Sequence, residues 1–391
     1  GDAFSSRNVH SSAMWFKDIG YSKTKALPVF NYTGNFNQTG VEVYTHYPPL
    51  PDMLGGLYAR ILNTKDPYRI ALFPIALSIL FFFFLQIALK KLVPDPVSAF
   101  ISWVLLVISC YFICWADDLH QHVYTEFLKW VYIYILYRYF TETKKKWMLP
   151  ALCAIYFTQS WLTFEAIPFL AIVTAGFFII FTKKLFAPAS LLLLLMPVLG
   201  VALHLFQNYL YFDNWQAVMT DMKNALLKRT TGEQDNELGR EVQSYDFIKM
   251  WVYEFWFRLG RMFSLSAVPF IIVAVFALQH LYRQHRIHFK MAVVFFLAGI
   301  AWIFIMPQHA VVHTFTIKHI GVFVAFVSGY GITRYFSLLI THFTAGTYYW
   351  RFIHIVLIAY TFGSFLWNQG YYVYLKFGFG YPHFGTSANL W

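Results

Sequence analysis

Charge is what this sequence has least of. Of its 391 residues, 13% are Asp, Glu, Lys or Arg and 58% are hydrophobic; soluble domains carry roughly 25% charged residues. That shortage excludes an ordinary soluble domain. It points to a polytopic membrane protein, for which the bilayer is the solvent. Cysteine is scarce too, with three in the chain. Cys110 and Cys114 lie one helical turn apart in one apolar run and Cys153 lies in another. No disulfide framework or zinc spacing is visible, so all three read as small buried apolar residues. No internal repeat of the kind that marks many transporters is visible either. The formal net charge is +11, but no basic module for nucleic acid stands out. The excess is read as Lys and Arg at span ends, facing lipid headgroups.

What is present is a series of apolar runs near the ~20 residues that span a bilayer. They fall at roughly 70–90, 96–116, 123–141, 148–164, 166–182, 186–211, 265–282, 289–306, 319–341 and 349–368. Basic residues mark alternate short loops: Lys90 and Lys91; Arg138 with Lys144, Lys145 and Lys146; Lys183 and Lys184; Arg283, Arg286 and Lys290. These loops are expected to be cytoplasmic. Residues 1–68 and the long loop 212–264 are then expected on the opposite face. The chain starts at Gly1 with no signal peptide, and a helix upstream of it is expected to anchor the first external segment.

Five regions follow from this reading: an external loop with surface helices (1–68), a transmembrane core (69–211), an external loop with amphipathic helices (212–264), further transmembrane helices (265–368) and an external aromatic tail (369–391). Within 212–264, two helix-like stretches flank a Gly- and charge-rich turn. The second mixes Trp251, Tyr253, Phe255, Trp256 and Phe257 with Lys249, Arg258 and Arg261, the composition of a helix lying in the interface.

Ionisable groups at membrane edges are functional candidates. Four clusters fall on the external side: "GDAFSSRNVHSSAMW" with Asp2, Arg7 and His10; "VYTHYPPLPDMLGG" with His46 and Asp52; "WADDLHQHVYTEF" with Asp117, Asp118, His120, His122 and Glu126; and "MPQHAVVHTFTIKHIG" with His309, His313, Lys318 and His319. Glu165 stands at another outer corner. Each has a plainer alternative. Asp2 can be a solvated loop residue and Asp117–Asp118 an ordinary cap. No cofactor is firmly expected, and a divalent cation at His120 and His122 is left open. Asn31-Tyr-Thr and Asn37-Gln-Thr fit the N-glycosylation pattern. Together, acidic groups in the first two loops would supply a general base and orient hydroxyls. Basic and imidazole groups in the later loops would hold a phosphate leaving group.

The stretches "GDAFSSRNVHSSAMWFKDIG" and "THYPPLPDMLGGLYARIL" resemble the acidic start and the His-Pro-Pro turn of the C-type membrane glycosyltransferases. The branch they are most similar to holds the protein O-mannosyltransferases and the lipid A aminoarabinose transferases. Two differences stand out: Asp2 is followed by Ala3 rather than Glu, and Tyr47 separates His46 from the prolines. The resemblance implies an all-α C-type helical core with surface helices in the first loop. It implies that Asp2 is the carboxylate beside the acceptor, and that Asp117 or Asp118 is the second acidic position. It implies that the segment around Lys318 lies near the donor phosphate.

The function expected is transfer of a sugar from a polyprenyl-phosphate donor to an acceptor hydroxyl at the non-cytoplasmic face, by inverting displacement. The acceptor is a glycan, lipid or protein. His46, Asp117, Asp118, His120 and Glu165 are expected to bind acceptor or donor sugar. Lys318, His313, His319, Arg258 and Arg261 are expected at the lipid phosphate. Two alternatives remain: a transporter or flippase for lipid or anionic solute, to which Gln159, His204 and Gln207 within spans are relevant, and a non-catalytic subunit of the same fold.

Overall fold

The computed structural model describes residues 3–230, 248–249, 251, 255–264, 267–345 and 348–377. In chain order the helices are α1 (Ala3–Asp18), α2 (Leu50–Ile61), α3 (Pro67–Ile70), α4 (Leu72–Leu92), α5 (Pro96–Val107), α6 (Cys110–Ile113), α7 (His122–Thr141), α8 (Met148–Leu162), α9 (Ala166–Thr182), α10 (Pro188–Phe212) and α11 (Trp215–Thr230). Beyond these come α12 (Phe255–Phe263), α13 (Ala267–Gln284), α14 (Arg286–Ile305), α15 (Pro307–Val312), a 3-10 turn (Thr314–Ile320), α16 (Gly321–Ala345) and α17 (Tyr348–Phe377). Among the described residues the only β pairing is an isolated bridge between Val29 and Val43.

A helix stands at each of the expected spans, and the fold is all-α. Four stretches, Pro67–Leu92, Pro188–Phe212, Arg286–Ile305 and Phe315–Leu338, are long and apolar enough to cross a membrane. The second expected span differs from its reading. It breaks at Ser109, whose hydroxyl donates to the Leu106 carbonyl at 2.7 Å, a local bond that competes with helix continuation. The cysteines beyond the break correct another expectation: Cys110 and Cys114 are bonded to each other as a disulfide.

The chain forms two compact units, each described here by itself. The first holds residues 3–81 and 115–230. In it α1 packs on α2 through Val9, Ala13, Tyr58 and Ala59. Gly56 makes this approach possible, since a Cβ there would meet the Phe16 side chain and the Tyr21 hydroxyl. Ser11 and Ser12 of α1 accept from the backbone N–H groups of Tyr32 and Val29, at 2.8 and 3.0 Å. Two buried serines thus replace a partner strand for the loop that returns across α1. Helices α7 to α10 pack beside one another. A buried Glu126–Lys129 ion pair at 2.6 Å lies on α7, and a Tyr132–Thr174 hydrogen bond at 2.6 Å joins α7 to α9.

The second unit holds residues 82–114 and the described residues from 248 onward. Its centre is α16, packed on α5 and α13. Asp95 caps α5 by accepting from the Ser98 N–H at 2.8 Å, and Ser102 donates to the Ala325 carbonyl at 2.6 Å. Small residues let the backbones close together, as between membrane helices generally. A Cβ on Gly329 would run into the Ser102 hydroxyl and the Ser98 carbonyl oxygen. Gly329→Ala is therefore expected to cost about 1–3 kcal/mol by overpacking. Melting in detergent checks this against Gly363→Ala, whose added Cβ meets nothing within 4 Å and is expected to leave the transition in place.

Candidate active site

In the first unit, the turn before α7 separates two neighbouring aspartates. Asp117 is exposed and Asp118 is 2% exposed. Asp118 Oδ1 accepts from the Ser6 hydroxyl at 2.5 Å and from the His120 backbone N–H at 3.2 Å. Its Oδ2 lies 3.8 Å from His122 Nε2. Ser6 is on α1, so this carboxylate ties the first helix to the start of α7. Asp2 lies outside the described residues. One ligand atom each from Asp118, His120 and His122 lies within 4.8 Å of the others. A carboxylate and two imidazoles suit a divalent cation of the zinc or manganese kind. The Trp115 ring lies against His122, tilted by 54° with 4.0 Å between ring centroids.

The loop carrying His46 is held by Glu165 and His204, named from the sequence, and by Asp221, Asn208 and Arg229, which sequence reasoning did not single out. His46 Nε2 lies 2.7 Å from Asp221 Oδ1, and the Thr45 hydroxyl donates to Asp221 Oδ2 at 2.6 Å. Asp221 is on α11. The Thr45 carbonyl oxygen sits 2.9 Å from both His204 Nε2 and Asn208 Nδ2 of α10. Tyr47 donates to Glu165 Oε1 at 2.8 Å, and the Arg229 guanidinium lies 5.6 Å from the Tyr47 ring centre. Burial, and then the Glu165 carboxylate, push the Tyr47 hydroxyl well above its ordinary pKa. It therefore keeps its proton and donates. His46 and Glu165 belong to one network that fastens the loop to α10 and α11. Asp221 and Arg229 share a face with buried Val218 and Ala225, at helical spacings of three and four. That spacing was the available signal.

The polar residues within spans also have local work. Gln207 accepts from the Trp161 indole N–H at 3.0 Å, and Gln159 donates to the Thr125 carbonyl at 2.7 Å. With His204 on Thr45, these groups satisfy backbone and ring atoms inside the unit.

In the second unit, Lys318 and His319 lie on the 3-10 turn, 0% and 1% exposed. The Lys318 ammonium lies 5.2 Å from the Phe315 ring centre. Arg258, on α12, donates to the Ala310 carbonyl at 2.6 Å. His309 Nδ1 accepts from the Trp302 indole at 3.1 Å, and the rings of His309 and His313 are 4.5 Å apart. Gly299 lets α14 lie against the turn, since a Cβ there would be 2.7 Å from Ile320 Cα. The structure thus gathers Arg258, His309, His313, Lys318 and His319 around one short segment. Arg261 is also on α12. Among the described residues from 255 onward there is no Asp or Glu.

No family model and no curated protein matches the chain. A solved structure does: the crystal structure of the Archaeoglobus fulgidus oligosaccharyltransferase in the apo form. The TM-score is 0.54 with 10% identity, over 95% of this chain and 52% of that one. The fold is that of a C-type membrane glycosyltransferase. The chain spans about half the length of that oligosaccharyltransferase. At this identity the likeness concerns the C-type fold; the O-mannosyltransferase-like branch is not distinguished by it.

Asp52 gives this region a pH dependence. It lies on α2, 6% exposed, and burial raises its pKa to about 7, with the Ser12 hydroxyl pulling the other way. The folded state keeps this proton up to about pH 7, whereas an unfolded chain releases it near 3.8. Stability therefore falls as pH rises between those values and is level above them. Asp52→Asn is expected to remove that slope. Melting temperatures of the two proteins should lie close near pH 4 and separate up to about pH 7, with the variant higher.

Proposed function

We propose that the protein is a membrane glycosyltransferase that moves a sugar from a polyprenyl-phosphate carrier to a hydroxyl of a glycan, lipid or protein, at the non-cytoplasmic face. The observation that carries this reading is the C-type fold. The buried cationic group around Lys318 supports the choice of a phosphate leaving group. An acceptor oxygen attacks the anomeric carbon. The new C–O bond forms as the bond to the carrier phosphate breaks, and the electron pair leaves with that phosphate. A single displacement inverts the anomeric centre.

Asp2, at the start of the first loop, would take the acceptor proton as charge develops. Asp118 would orient the hydroxyl, and the exposed Asp117 is the weaker candidate of the pair. Lys318, with Arg258, Arg261, His313 and His319, would stabilise the departing phosphate, where positioned charge acts most strongly. Asp118, His120 and His122 would hold a divalent cation, which when bound supplies positive charge to a substrate oxygen. His46 and Glu165 would shape the sugar pocket by fixing the loop at Tyr47. The span residues Gln159, His204 and Gln207 are engaged with loop, ring and backbone atoms, which favours transfer over solute passage.

The test is release of polyprenyl phosphate from a radiolabelled polyprenyl-phosphate-sugar by purified protein in lipid. Lys318→Gln is expected to slow release by about 100-fold, as for loss of one preorganised charge-stabilising group. Asp2→Asn should lower transfer while leaving donor binding intact. Wild-type rates from both well-folded variants would sink the reading. Flux of the donor across liposomes without bond cleavage would replace it with transport.

A further inference from the structure

The sequence "QHLYRQHRIHFK", residues 279–290, does more than mark an orientation. It joins α13 to α14, and its imidazoles meet α16. His280 Nδ1 is 2.8 Å from the Tyr330 hydroxyl. The His285 ring lies 6.4 Å from His280, 5.7 Å from His288 and 6.1 Å from Tyr330. The Arg334 guanidinium is 5.0 Å from the Tyr330 ring centre. Both Arg283 and Arg334 act electrostatically on His280. Arg286 lies over the Tyr282 ring at 4.1 Å.

Among the described residues of the unit, little balances this charge. Asp95 is the one carboxylate side chain in residues 82–114 and 255–377. It is already committed to capping α5 through Ser98, with contacts at 2.8 and 2.6 Å. It also forms a partly exposed ion pair with Arg334 Nη2 at 3.7 Å, longer than a hydrogen bond, so it offsets only part of the charge. Arg334 Nε is shielded from solvent and has no hydrogen-bond partner. The Nε edge of this guanidinium is thus left for an acceptor beyond Asp95 and Tyr330, and phosphate, with several oxygens, matches the planar fork.

We propose that this cluster binds the phosphate of an anionic phospholipid headgroup, between Arg334, Arg283 and the imidazoles of His280 and His285. Two observations favour a lipid over free phosphate. Tyr282 and Ile287, on either side of the basic residues, are 47% and 49% exposed, and so offer apolar contact to a glycerol backbone and acyl chain. The cluster also terminates α13 and opens α14, one of the stretches apolar enough to cross a bilayer. The headgroup supplies negative charge that is scarce among the unit's described residues. The cluster is independent of the Lys318 group and of any transfer reaction.

Native mass spectrometry of the whole protein in mild detergent, titrated with phosphatidylglycerol or phosphatidylcholine, tests the assignment. Wild type should bind phosphatidylglycerol in preference. Affinity for it should fall about fivefold for each cation removed, in Arg334→Gln and in the exposed double variant Arg283→Gln/Arg286→Gln. Phosphatidylcholine binding should not change. Millimolar inorganic phosphate should leave the bound lipid in place. Equal phosphatidylglycerol binding by wild type and the folded double variant would overturn the proposal. So would equal retention of both lipids together with saturable binding of inorganic phosphate. Should Arg334→Gln fail to fold, the double variant, at exposed positions, decides.

Discussion

The Thr45 carbonyl oxygen accepts from two side chains of α10, and the order of the first loop depends on that bond pair. His204 and Asn208 project from a helix long and apolar enough to span the membrane. Polar groups at such positions are costly unless satisfied. Here they are satisfied by backbone of the loop, so the helix and the loop each solve the other's problem. Asp221 then closes the arrangement from α11, taking both the Thr45 hydroxyl and His46. The αL residue Asp213 ends α10, and Asn214 caps α11 by accepting from the Gln216 N–H at 2.8 Å. This turn brings Asp221 back to the loop.

The same constraint explains where the candidate chemistry sits. A buried ammonium or carboxylate persists only if other groups compensate its lost hydration. Asp118 has the Ser6 hydroxyl and a backbone N–H; Arg258 has the Ala310 carbonyl. Such groups are held before any substrate arrives, and preorganised charge is what stabilises a charged transition state. The Glu126–Lys129 pair on α7 is different. Its two charges meet within one helix turn at 2.6 Å, and nothing in the proposed transfer uses it. Its Lys129 ammonium also lies 5.0 Å from the Phe169 ring centre, a contact from α7 to α9.

The helices were legible in the sequence because membrane spans need a length and an apolarity that composition reports directly. Their interruptions were less so: Ser109 stops a span by a side-chain bond that hydropathy does not register, and the Cys110–Cys114 bond was hidden in an apolar run. Among candidate site residues, the clusters around Asp118 and Lys318 were visible as polar groups at span ends. What separates Asp117 from Asp118 is burial against α1, which depends on a contact across more than a hundred residues. Asp221 and Arg229 were obscured for the same reason. They lie in a polar stretch where charge looks ordinary, and only the packing of α11 on the loop gives them a role.

Tyr47 makes the point most directly. In sequence it is an insertion that separates His46 from the prolines and weakens a family pattern. In the structure its hydroxyl is the donor to a fully buried carboxylate, Glu165, at the start of α9. That donor offsets part of the cost of burying the carboxylate. His46 meets Asp221 of α11 beside it, and Tyr47 gives α9 a hydrogen-bonded corner. Tyr47 meets Glu165 and Arg229 while its neighbours Thr45 and His46 meet Asp221, so all these contacts hold one stretch of loop. A substitution at Tyr47, Glu165, Arg229 or Asp221 would be felt at the loop that follows α1.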